Sequence, residues 1–213
     1  MSDLSKRAAK YYLVQGVRLF IATLLGMTFV GTVWILTHLG ETNYVESVLY
    51  RILSLGTVFM IMMNFMYSVY SPGWYDSTVL SMGARRKDIF WGVLIKQITF
   101  IVCYAIFLSL MSILTSRPER IKSIMMSSAV SLFMGAAGII VGHAVKKYGR
   151  IVYHIFLIIV LGVGSGSLVM LEHREHVFTL GNTTKYVIAM AGLLLFVIME
   201  FVIYRLNKKS MVA

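Results

Sequence analysis

The chain reads as an all-α membrane protein with six transmembrane helices, both termini cytoplasmic and a short cytoplasmic helix between spans two and three. Three observations predict this class. First, 58% of the 213 residues are hydrophobic, only 14% are charged and mean hydropathy is +0.79. A soluble domain of this size has no way to bury so much apolar surface. Second, six stretches with few or no charges approach or exceed the ~20 residues that a helix needs to cross hydrocarbon. They cover 19–38, 52–70, 89–115, 123–145, 151–171 and 186–206. Third, Lys and Arg are unevenly shared between the connections. With both ends inside, 13 lie on the cytoplasmic side and six outside, and Lys96 remains within a span. Helices are required because each satisfies its own backbone hydrogen bonds in lipid.

Residues 1–18 suit an interfacial amphipathic helix. Leu4, Ala8, Tyr11, Tyr12 and Gln15 fall on one side and Lys6, Arg7 and Lys10 around the rest. Such a helix lies in the headgroup plane; a plain basic flank to the first span is the alternative. That span is too long for a cleaved signal and lacks a small-residue cleavage site, so it is expected to stay. Pro72 and Pro118 each sit just past a span, where proline is tolerated.

The connection 71–88 carries the most information. Pro72 starts a turn, and Trp74, Tyr75, Thr78, Val79 and Met82 follow at helical spacing, giving a short helix with one apolar face. Gly83 is its expected stop, able to take positive φ. Arg85, Arg86 and Lys87 then lead into span three at headgroup level. The apolar face suits a groove on a soluble partner, or equally the aromatic belt of the membrane interface.

Connections 39–51, 116–122 and 172–185 are short, so no outer domain is expected to capture a ligand. Gly138 and Gly142, Ser131 and Gly135, and Gly162 and Gly166 are each four apart, a spacing that lets helix backbones approach closely. Residues 207–213 form a cytoplasmic tail.

Several functions are excluded or disfavoured by pattern. No G-x-x-x-x-G-K-[ST] occurs, so the chain is expected to hold no nucleotide and no cofactor of its own. The run G-V-G-S-G-S at 162–167 lies inside a span rather than after a strand, against a dinucleotide site. An intramembrane serine protease would need a histidine partner, and span six has none; His143 and His154 lie near the ends of spans four and five. Glu172, His173, Glu175 and His176 lack a third ligand fixed by spacing, which favours a solvated turn over zinc. The N-x-T at Asn182 matters only in a secretory pathway. Cys103 is alone and mid-span. Basic residues scattered over several loops argue against nucleic acid and for topology, with attraction to anionic lipid as a side effect. No covalent chemistry is expected, so the chain is not an enzyme.

Lys96 and Glu200 are the ionisable residues within spans, each costing about 3 kcal/mol at a bilayer centre. Both lie toward the cytoplasmic side. They either snorkel to the interface or pair with each other, locking span three to span six.

The run L-S-M-G-A-R-R-K-D-I-F-W-G at 80–92 resembles the segment after the second span of ABC-2-type transporter permeases, bacterial exporter subunits that carry a similar G-A-x-R-K-[DE] run. The plan of six spans with both ends inside is similar too. The resemblance implies that 74–82 is a coupling helix and 83–88 its exit. Trp74, Tyr75, Thr78, Val79, Met82, Gly83, Arg85 and Arg86 would then meet a separate cytoplasmic ATPase that binds ATP and Mg. It also implies a second permease half, identical or not, a bacterial plasma membrane, and cargo such as an amphipathic or antimicrobial peptide or another lipophilic compound. The chain departs from the pattern at 172–185, too short for the re-entrant helices of many members. A secondary transporter and a non-transporting immunity or sensor component are the alternatives.

Overall fold

The computed structural model describes residues 3–37, 44–81, 83, 85–149, 151, 154, 158 and 182–209. Every regular element among them is helical: α1 Asp3–Thr37, α2 Tyr44–Tyr70, α3 Asp76–Ser81, α4 Arg86–Leu114, α5 Ile121–Tyr148 and α6 Asn182–Lys209. A π-helical segment, Ser71–Tyr75, joins α2 to α3, and a 3-10 turn, Pro118–Arg120, leads into α5. Five stretches among the described residues are long and apolar enough to cross a membrane: Ser5–Thr37, Ile52–Ser81, Arg86–Leu114, Pro118–Tyr148 and Tyr186–Leu206. The chain is an α-helical membrane protein. The expected span 151–171, apart from three positions, lies outside the described residues, as do Gly162, Gly166 and the histidines at 173 and 176.

Residues expected to lie flat in the headgroup plane are instead the first turns of α1, which runs unbroken past position 18 into the first span. A seam explains this. Ala8, Tyr12, Gly16, Leu19, Thr23 and Met27 are buried at steps of three or four, one continuous stripe along α1. The stripe packs on α4: a Cβ at Gly16 would lie 2.7 Å from the Lys96 carbonyl oxygen, and one at Gly92 would meet the Tyr12 ring at 2.1 Å. At 35 residues, α1 is about 52 Å long and outreaches the ~30 Å of hydrocarbon. Its basic N-terminal turns therefore project beyond the core.

The connection 71–88 also differs from the expected separate helix. Tyr70 and Asp76 both keep right-handed helical dihedrals, and the Asp76 N–H bonds the Ser71 carbonyl, so the helix continues through a π segment. Pro72 is the local cause, because it has no N–H to give to the preceding turn. The chain reverses only at Gly83, whose φ of +81° is a conformation that L side chains rarely adopt. Arg85 is extended and caps α4, its N–H bonding Asp88 Oδ2 at 3.1 Å.

Interlocking turns define the two ends of the bundle. At one end gather the start of α1, the 71–88 turn, the end of α5 and the end of α6, where Phe90 and Tyr204 stack edge to face at 5.6 Å. Lys146 and Lys147 lie in the last turn of α5, against the negative end of its dipole. At the opposite end Arg120 Nη1 donates to Ser54 Oγ at 3.2 Å, tying the 3-10 turn to α2. Between the ends, Leu19, Met60, Phe100, Tyr104 and Leu108 form an apolar cluster, and Tyr104 Oη sits 3.1 Å from Met27 Sδ.

Candidate functional site

A row of polar side chains runs through the bundle toward its basic end. Asn64, Ser68 and Ser71 are spaced by four and three residues, so they share one face of α2 and of the π segment that continues it, and all three are fully buried. Asn64 Nδ2 donates to the Ser131 carbonyl at 2.7 Å, and Ser131 Oγ donates to the Met60 carbonyl at 3.1 Å. One turn on, Gln97 Nε2 of α4 approaches Ser68 Oγ at 3.4 Å. The glycine at 135 makes room for this layer: a Cβ there would lie 2.5 Å from Asn64 Nδ2 and 3.1 Å from Gln97 Cδ.

The row ends on charge. Lys96 is 2% exposed, and its ammonium donates to Ser71 Oγ at 3.1 Å. Asp76, at the start of α3, is the carboxylate within electrostatic reach of it, and Lys146 of α5 acts on the same carboxylate more weakly. Tyr12 Oη donates to Asp76 Oδ1 at 2.8 Å, which brings α1 into the same cluster. A buried cation is tolerated only when a counter-charge and hydrogen bonds replace its water, and here α1, α2, α3 and α4 supply or share them. Two acceptors in the row, Asn64 Oδ1 and Gln97 Oε1, are buried without a hydrogen-bond partner among the described residues. Their lone pairs suit a polar guest or water.

This arrangement corrects the expected partnership of Lys96. Its ammonium turns to Ser71 of the π segment and to the charge of Asp76, not to Glu200. Glu200 Oε1 has no hydrogen-bond partner among the described residues.

Beyond the row lies the basic turn. Asp88 accepts a hydrogen bond from Ser5 Oγ as well as from the Arg85 N–H, so one carboxylate pins the turn to α1. Gly83, Arg85 and Lys87 are exposed, while Thr78 and Arg86 are half-buried. Val79 is 1% exposed and packs with Ala8, Tyr12 and Ile139, so it is part of the core and not of a docking face. The side chains of Trp74 and Tyr75, and Met82 altogether, lie outside the described residues. Gly138 and Gly142 are closely approached: added Cβ atoms would fall 2.6 Å from the Phe65 carbonyl and 2.3 Å from that of Val69. Among the described residues no three His, Cys, Asp or Glu side chains gather as metal ligands would.

Sequence reasoning missed Asp76, Tyr12, Asn64 and Gln97. The signal existed in the polar positions 64, 68 and 71 on one face of a span and in the adjacent Lys96 and Gln97 of another. No family model, curated protein or solved structure matches the chain.

Proposed function

We propose that the chain is the membrane subunit of an ATP-driven exporter of the ABC-2 type, in a bacterial plasma membrane, working with a second permease half and cytoplasmic ATPase subunits. The observation that carries the reading is mechanical. α3 and the π segment connect the basic turn, whose sequence resembles the ATPase-facing segment of such permeases, directly to the buried polar row. A pull on the turn reaches Asp76 within about two helical turns and Ser71 within about three and a half, and with them the Lys96 cluster that holds α1 and α4. Buried polar groups inside a membrane bundle mark pathways, and this row suits the polar face of an amphipathic or antimicrobial peptide or other lipophilic compound. ATP and Mg belong to the partner; this chain supplies the path and the lever.

A second reading is favoured by a different observation. A buried Lys and a half-buried Asp beside a helix that passes through a π segment are also the parts of a transporter driven by an ion gradient.

The first reading predicts vanadate-sensitive ATPase activity in eluates of the tagged chain, isolated from its own cells in mild detergent. Trp74→Ala with Tyr75→Ala should lower that activity at least about tenfold, since interface aromatics carry about 2 kcal/mol or more each. Leu114→Ala, 78% exposed at the opposite end, should leave it unchanged. Equal activity from the aromatic double variant would remove the coupling assignment.

A further inference from the structure

A cavity of about 380 Å³ opens between the start of α1 and the start of α4. Its lining includes Arg85 and Lys87, both exposed, and Trp91, 54% exposed. The floor is apolar, Ala9 and Ile95, closed beneath by Gly92, which the Tyr12 ring covers. Asp88 also lines the cavity, but its two oxygens are taken by Ser5 Oγ and the Arg85 N–H. Its oxygens hold the turn together, and with Arg85 and Lys87 against this one carboxylate the lining stays net positive, beside the N-terminus of a 29-residue helix.

We propose that this cavity binds the phosphate headgroup of an anionic phospholipid from the leaflet that the basic residues face. Three features select a lipid over a free anion. The cavity stands where the basic residues place the headgroup level. Trp91 offers the indole that membrane interfaces favour. The floor is apolar and continues along the outward side of α4, where Ile98 and Val102 are 43% and 49% exposed, a track for an acyl chain. The binding needs no ATPase, so it stands or falls apart from the transport reading.

The test uses the full-length protein in neutral detergent, with lipid binding followed by native mass spectrometry and by the thermal midpoint. Phosphatidylglycerol should bind roughly thirtyfold more tightly than phosphatidylcholine, the weight of two basic side chains at an anionic headgroup. Arg85→Gln with Lys87→Gln should erase that preference, whereas Lys147→Gln with Arg205→Gln, near the ends of α5 and α6, should keep it. In the unaltered protein, added salt should weaken phosphatidylglycerol binding, which tests the claim even where a variant folds poorly. Equal binding of the two lipids, a preference that survives in the Arg85/Lys87 variant, or insensitivity to salt would overturn the proposal. Full competition by millimolar glycerol phosphate would overturn it too, because the site would then take a free phosphate.

Discussion

Lys96→Met should destabilise the protein by about 3 kcal/mol, read as unfolding in detergent micelles. The change removes the cation that acts most strongly on Asp76 and leaves that half-buried carboxylate under the Tyr12 hydroxyl. The cost is set at the low end for a broken buried pair because Asp76 is half-buried. Adding Asp76→Asn takes away the stranded charge and should recover most of the loss, so the two changes should be strongly non-additive. Exchanging the charges of Lys96 and Glu200, by contrast, should rescue nothing. A stable Lys96→Met protein, or additive effects of the Lys96 and Asp76 changes, would show that the cluster is not held by charge.

The second large effect concerns backbone contact. Without a hydrophobic drive between helices in lipid, close packing and hydrogen bonds hold a bundle together, and α5 lies against α2 and the π segment through glycine. Gly142→Ala would set a Cβ 2.3 Å from the Val69 carbonyl oxygen and 2.9 Å from Pro72 Cδ. Gly138→Ala would do the same at 2.6 Å from the Phe65 carbonyl. Because these are backbone atoms, whole helices must shift, and each change should cost about 2–3 kcal/mol. Gly31→Ala is the control: its Cβ would meet Ile52 at 3.8 Å, an ordinary contact, so stability should hold or rise slightly. If Gly142→Ala matches Gly31→Ala, the close approach of α5 is not real.

Much of the fold was legible because composition decides it. A chain this apolar has to be helical in lipid, and Gly83 and Gly149, both at positive φ, mark where helices end. The positive φ at Gly83 belongs to this legible part. The errors share a cause, which is that helices in the membrane do not end where hydropathy falls. α1 continues below position 19 because its packing stripe continues, whatever the polarity of its outer face. α2 continues past Pro72 because a π turn absorbs the missing N–H. The site was less legible, since Lys96 could be given a partner only by knowing which way its face of α4 turns. Glu200 looked equally suitable by depth. Asp76 stood out by no spacing of its own, and only α3 lays it against Tyr12.

On the proposed reading, the buried polar row is joined to a turn on which a separate ATPase would act. The most direct measurement is transport by the protein reconstituted into vesicles with whatever ATPase co-purifies, using a fluorescent amphipathic peptide as cargo. Movement should require hydrolysable ATP and persist when an ionophore collapses the proton gradient. Movement driven by an imposed gradient without ATP would contradict it and would assign Lys96 and Asp76 to ion coupling instead.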